Sequence, residues 1–340
     1  MTAQLPEALH GLGCTPAGPQ FQSKMRKSFG GDVVDYSLGG AQRPRLYYTS
    51  RLNAEMNDLM DDHPGLSKPK PITVINLFRE TLGHLLALLS ELSAEEWHRP
   101  TICRGWSVKD VALHLLGVEI GNISSRRDRH HLGGTISGWH ELVDHINRWN
   151  QEWVAVSRRI SAPLLIELLD FAGEKAYAYF SSLDPFAMGG AISWAGPEPQ
   201  PVWLDIAREY TERWHHQQHI RDAVRKPGLK EPRYFGPVLE TFAWALPHTF
   251  RHVSAPDGTG ITLSVWGDSG GQWTLLRQRG GWGFYRGTTM DPDADIILDE
   301  DMAWRFFTRG IEKEIARKRI TIKGDEGIAE PVFEMVSIIA

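Results

Sequence analysis

Apolar side chains at Ile72, Ile75, Phe78, Leu82, Leu85, Leu86 and Leu89 recur at three- and four-residue steps. This is the stripe of an amphipathic helix and predicts one running to about Leu92. In Trp106-Ser107-Val108-Lys109-Asp110, Ser107 can cap a helix with Asp110 three residues on, so a second helix is predicted through His114 to about Ile123. A polar loop with Arg126, Arg127, His130, His131, Gly133 and Gly134 separates it from a long helical region, about His140 to Phe180. Ser161-Ala162-Pro163 can restart the helix inside that region. A Pro/Gly-rich stretch, Asp184 to Gln200, precedes a last helix from Trp203 to about Val224. Antiparallel helices with one long loop describe a bundle over residues 71–228, whose inward polar residues can build a site.

Beyond Lys226-Pro227-Gly228 the period changes to two. Ile261 to Trp266 alternates, Gln272 to Arg277 and Gly281 to Arg286 follow Gly-rich turns, and Ala294 to Leu298 is a fourth strand candidate, together predicting an antiparallel meander. Asp299 or Asp301 can cap a short helix through Trp304 to Phe307. Arg319 to Lys323 is expected as a strand and Ile328 to Ile339 as a closing helix. Residues 229–340 thus predict an α+β domain. Met1 to about Lys70 shows no sustained period and ends in the breaker run from Pro64 to Pro71, so residues 1–70 are expected to be an irregular extension.

Composition narrows the function classes. The chain has 340 residues, a formal net charge of −5 and 41% hydrophobic residues, enough apolar material for more than one packed domain but no field to hold a polyanion. A small molecule is expected as partner, rather than nucleic acid, a membrane or another protein. No run reaches the roughly 18 apolar residues of a membrane span, and the N-terminus lacks the basic start and apolar core of a secretory signal. The two cysteines, Cys14 and Cys103, cannot make a disulfide framework, which fits a reducing cytoplasm.

The most informative segment is Tyr210 to Asp222. On a helix, Glu212 and His216 stand four residues apart on one face, with His219 one step further. A carboxylate and a neutral imidazole suit zinc or another divalent first-row metal, and three protein ligands leave positions open for water or substrate. His114, a polar residue among aliphatics, is the candidate third ligand; alone it reads equally as a hydrogen-bonded core histidine. His219 can be a ligand, a general base or a surface residue, and His215 lies on a neighbouring face as the main decoy. Cys103 reads as a small buried thiol without a basic partner at diagnostic spacing, and stays outside the catalytic set. The aromatics Trp266, Trp273, Trp282, Phe284 and Tyr285 are expected to pack a sheet against helices. The Arg126–His131 cluster is a solvated loop or a holder of an anionic group.

Gly105-Trp106-Ser107-Val108-Lys109-Asp110-Val111-Ala112-Leu113-His114-Leu115 resembles the signature of the metal-binding helical domain of the DinB superfamily, in its mycothiol-dependent maleylpyruvate isomerase branch. The helix bearing Glu212 and His216 is similar to the second half of that signature. The resemblance implies a DinB-like four-helix bundle whose His114, Glu212 and His216 hold a divalent metal, usually zinc, with iron or nickel as alternatives. Trp244 to His248, Gly281-Trp282, Ala303 to Phe306 and Ile322 to Asp325 resemble the sterol-carrier-like α+β domain that follows the bundle in many members. The pattern departs from the family at His219, where many members carry an acidic residue.

The implied chemistry is activation of a low-molecular-weight thiol, mycothiol or one like it, by the metal. The thiolate serves a maleylpyruvate-type cis-trans isomerisation or is transferred to an electrophilic small molecule. An arginine of the second domain is expected to hold a substrate carboxylate, with Arg286, Arg305, Arg317 and Arg319 as candidates. The competing expectation is a non-catalytic binding protein with a structural metal, which a fourth ligand at His219 would favour.

Overall fold

The computed structural model describes residues 63–131 and 138–338. Most of the expected N-terminal extension, residues 1–62, lies outside the described residues. Strand β1, Leu66–Ser67, pairs antiparallel with the strand at 281–287, so part of the breaker run itself belongs to the sheet and the end of the expected irregular extension is ordered.

The helical half holds α1 Ile75–Ser90, α2 Val108–Gly121, α3 Trp139–Ser157, α4 Ala162–Ser181 and α5 Val202–Val224. Ser107 caps α2 as the pattern predicts: its hydroxyl accepts from the Asp110 N–H, and the Asp110 carboxylate accepts from the Ser107 N–H. A π-helical turn, Asn122–Arg127, continues α2 where a loop is expected. The short pair β2 Met188–Ala191 and β3 Pro199–Pro201 occupies the Pro/Gly-rich stretch before α5.

In the second half, α6 Pro232–Ala243 and α7 Leu246–Thr249 lead into β4 Gly260–Trp266, β5 Gly271–Gln278, β6 Gly281–Gly287 and β7 Ala294–Asp299. Then come α8 Glu300–Phe307, α9 Lys313–Arg319, β8 Thr321–Gly324, α10 Glu326–Ala329 and a 3-10 turn at Glu330–Glu334. The sheet order is β1-β6-β5-β4-β7-β8. The expected meander holds through β4, β5 and β6, but β7 runs parallel to β4, with Ile261 opposite Ala294. The crossing brings α8, capped by the Asp299 carboxylate, on to the helical half. The expected closing helix is instead the short α10 and the 3-10 turn, because Pro331 stands two residues past the end of α10.

One apolar core runs through both halves. It joins Phe78, Phe180, Leu204 and Trp214 of the helices to Phe235, Trp304, Leu263, Leu275 and Ile296. Trp214 stacks on Phe235 with ring centroids 4.5 Å apart and meets Trp304 edge-on at 5.7 Å, while its indole N–H donates to the Leu229 carbonyl at 2.6 Å. Both faces of β4 are covered: Thr262 and Ser264, on the face opposite Ile261, Leu263 and Val265, are buried as well, with Thr262 Oγ1 2.9 Å from Thr274 Oγ1 and Ser264 donating to Asp295 at 2.7 Å.

Helix α5 is the axis of the molecule. Packed between α2 and the sheet half, it buries His215, His216, Gln217, Gln218 and His219 in succession, so it has no solvent face along that turn. Its register against α2 is set by charge. Arg213 Nε and Nη2 donate to the two oxygens of Glu119 at 2.7 and 2.6 Å, and Nη1 donates to Glu209 at 2.9 Å. Asn122 adds a 2.7 Å bond to Glu209, and Arg126 a 2.5 Å bond to Asp205. Truncating one partner of such a buried pair leaves the other charge without compensation. Arg213→Ala is therefore expected to cost about 3–5 kcal/mol, read as a lowered denaturant midpoint. A paired Arg213→Met, Glu119→Leu variant should recover much of that loss; no difference between the two would refute the clamp.

Candidate metal centre

His114 projects from α2 and Glu212 and His216 from α5, and the helix clamp brings them together. His114 Nε2 and His216 Nε2 each lie 3.1 Å from the same carboxylate oxygen, Glu212 Oε1. The two imidazole rings meet edge-on with centroids 4.5 Å apart. One donor atom from each of the three residues falls within 4.8 Å of the other two. Both histidines are buried, and Glu212 keeps 16% of its side-chain surface. Trp106 covers the outer side, 5.1 Å from His114 by ring centroids, and its indole N–H is held by Gln151 of α3 at 2.8 Å. Gly117 lets α3 approach, since a Cβ there would stand 2.6 Å from Trp153 Nε1.

The sequence reading left Cys103 outside and His219 open between ligand, general base and surface residue, and the structure brings both beside His216. His219 is buried rather than on the surface, and its Nδ1 lies 3.1 Å from Cys103 Sγ. Cys103 thus has an imidazole partner 116 positions away in the chain, a separation no short spacing reveals. The thiol sits in a turn closed by a 3.0 Å bond from the Trp106 N–H to the Cys103 carbonyl, with Gly105 at φ +77°, where a β-carbon is disfavoured. His215 is fully buried with neither ring nitrogen hydrogen-bonded among the described residues, and its ring centroid lies 4.2 Å from that of His219 and 6.2 Å from that of Trp304.

Electrostatics follow from this crowding. Burial opposes ionisation of Glu212, but the facing His216 and His114 rings outweigh it and hold the carboxyl well below its usual range. Burial also works against charge on His216, yet Glu212 and Cys103 carry its pKa up to about 10. His114, His215 and His219 go the other way: burial, then neighbouring rings, keeps them neutral. The donor set fits a divalent cation. Two neutral-capable imidazoles and one carboxylate suit zinc, and the buried Nδ1 of His216 has no hydrogen-bond partner among the described residues.

Of the four candidate arginines, Arg305 comes nearest. It bonds Asp222 of α5 at 2.7 Å and Asp301 at 2.8 Å, and its charge helps depress His219. Arg286 pairs with Glu240, Arg317 with Glu330 and Arg319 with Asp299. In the Arg126–His131 cluster, Arg126 is tied to Asp205 and Glu209 and acts in the helix clamp, while Arg127 pairs with Asp128. Of the sheet aromatics, Trp273 and Tyr285 are buried as expected and Trp266 is exposed. A separate cavity of about 470 Å³, lined by Trp194, His248, Arg251, Arg309 and Glu334 among others, includes none of the metal-type residues.

Residues 78–221 match the model of the mycothiol maleylpyruvate isomerase N-terminal domain, a span that contains His114, Glu212 and His216. That match covers the helical half and not the sheet half. No curated protein matches the chain. Among solved structures, a mycothiol-dependent maleylpyruvate isomerase is similar at 12% identity and a TM-score of 0.43, over 73% of this chain and 91% of that one. A histidine-to-alanine variant of that enzyme aligns over the same shares at 12% identity and a TM-score of 0.39. Among the described residues no helix is long and apolar enough to cross a membrane.

The raised pKa of His216 sets a pH dependence. The folded protein without metal holds this proton more tightly than the unfolded chain does. Its contribution to stability is therefore complete below about pH 6.5 and is lost as pH rises through about 10. A metal ion must displace the same proton, so apparent zinc affinity should climb roughly tenfold per pH unit for each proton displaced. Chelator competition at several pH values checks this; an affinity flat between about pH 6 and 8 would contradict it.

Proposed function

We propose that this protein is a metal-dependent enzyme that uses a low-molecular-weight thiol, mycothiol or a close analogue, on a small electrophilic substrate. The observation that carries the reading is the shared Glu212 oxygen, 3.1 Å from a nitrogen of both His114 and His216, inside the span matched to the isomerase family. His114, Glu212 and His216 would hold the metal, zinc by its donor chemistry. A divalent ion held there lowers the pKa of an added thiol and so supplies thiolate at neutral pH.

The chain's own residues then set the surroundings. Glu212 orients both imidazoles from one oxygen, Trp106 covers the outer side, and the buried His215 and Trp304 close the inner side. Arg305, paired with Asp222 of α5 and with Asp301, would be the cation of the sheet half offered to a substrate carboxylate. In a maleylpyruvate-type isomerisation the sulfur bonds to one alkene carbon and the π pair moves into the conjugated carbonyl. Rotation about the resulting single bond follows, and return of the pair expels the thiol unchanged. In an S-transfer the carbon–sulfur bond persists and the substrate's leaving group departs with the displaced electron pair.

A second reading has a specific observation in its favour. Cys103 and His219 stand beside His216, each with a donor atom within 4.8 Å of it, so additional protein donors are at hand to close the site as a structural one. Metal analysis of protein purified without chelators, beside folded His114→Ala and Glu212→Ala variants, tests the first reading. Metal content lower by about one ion per chain in both variants, together with thiol-dependent turnover of a cis-enedioate by the wild type that both variants lose, is the expected result. Metal content and turnover equal to wild type in both variants, or no metal bound by wild type after titration, would sink it.

A further inference from the structure

Two sets of donors meet at His216, and the thiol-activation reading uses only one. The other is Cys103, His216 and His219, whose donor atoms also lie within 4.8 Å of one another. We propose that Cys103, His216 and His219 form a second, sulfur-containing metal-binding set that takes a soft or borderline divalent ion such as zinc, cadmium or cobalt. It is a site in its own right and does not depend on a low-molecular-weight thiol being activated next to it.

Three observations carry this. The spacing is right: a tetrahedral site with metal–sulfur and metal–nitrogen bonds of ordinary length puts neighbouring donors roughly 3.3–3.8 Å apart. Cys103 Sγ and His219 Nδ1 already stand 3.1 Å apart, with a His216 nitrogen inside the 4.8 Å limit of both. His216 can also serve two partners. Its Nε2 faces Glu212 at 3.1 Å, and its Nδ1 is buried with no hydrogen-bond partner among the described residues. Such a polar atom is costly to bury unless something meets it.

Access and chemistry agree as well. Cys103 is only half-buried, so an ion can enter from its side, whereas His216 and His219 are 5% exposed each and already ordered. The Cys103 turn is fixed by the Trp106-to-Cys103 bond at 3.0 Å and by the Cys103 N–H donating to Thr101 Oγ1 at 3.2 Å. A thiolate with two imidazoles is a softer set than two imidazoles with a carboxylate, so the two sets differ in the metals they favour. On binding, the sulfur–metal bond forms as the thiol proton leaves to solvent and the His216 nitrogen–metal bond forms as the imidazolium proton leaves to solvent, with no change of oxidation state.

Cobalt(II) reads the two sets apart, because only a thiolate ligand gives an intense near-ultraviolet sulfur-to-metal charge-transfer band. Cobalt is titrated into the full chain and into Cys103→Ser, Cys14→Ser, His219→Gln and Glu212→Gln variants, each checked for folding by circular dichroism. The expected result is a saturable band in wild type, Cys14→Ser and Glu212→Gln. Cys103→Ser should lose it and keep the weaker visible bands of nitrogen and oxygen ligation, and His219→Gln should need at least about tenfold more cobalt to reach it. A wild-type spectrum without the band overturns the proposal. So does a band that survives in Cys103→Ser, or one that vanishes in Glu212→Gln. If Cys103→Ser does not fold, Cys103→Ala replaces it in the same comparison.

Discussion

The bidentate pair between Arg213 and Glu119 is the constraint on which the site depends. Glu119 lies on the same helix as His114, and Arg213 is the neighbour of Glu212, so the pair that locks α2 to α5 also sets the separation of the metal-type residues. Two parallel N–H to O bonds tolerate little sliding, and a shift of one residue would carry His114 off the carboxylate. The network is satisfied on every side. Glu209 meets both Arg213 and Asn122, and the Arg213 guanidinium lies 5.0 Å over the ring of Phe78. A buried pair of this kind is better understood as fixing register than as adding stability, because desolvation offsets most of its attraction.

The second organising fact is the burial of α5 from all sides. A helix with a polar face ordinarily turns that face to water. Here the polar residues of Thr211 to Arg221 are taken into the interior, and the glutamines and Arg221 find partners there. Gln217 donates to the Thr81 carbonyl at 3.0 Å, Gln218 to the Gly228 carbonyl at 3.1 Å, and Arg221 to Gln217 at 2.9 Å. The histidines are left with fewer partners, and the unpaired nitrogens of His215 and His216 gather where the two halves of the protein meet. Buried polar atoms without a partner are rare and each calls for a physical reason.

The sheet half does more than follow the bundle. By running parallel to β4, β7 delivers α8 to the C-terminal part of α5, where Trp304 lies 5.9 Å from His219 and Arg305 reaches Asp222. The histidine cluster is therefore walled by residues nearly 90 positions further along the chain. A truncated helical domain would lack that wall and expose Trp214, whose ring is now covered by Phe235 and Trp304.

Much of this was written in the sequence by itself. The helices follow from three- and four-residue apolar spacing, the start of α2 from Ser107 and Asp110, the break between α3 and α4 from Pro163, and the pairing of Glu212 with His216 from their four-residue step. These are local rules, set within one or two turns of backbone. His114 joined that pair only through a family resemblance, since nothing local connects residues on separate helices. Tertiary structure alone decided the rest: that α5 is buried all round, that His219 faces Cys103 instead of water, that β7 reverses the expected meander, and which arginine stands near the site. Each depends on contacts between segments far apart in the chain, where the energies are those of packing and desolvation and leave no periodic trace in the order of residues.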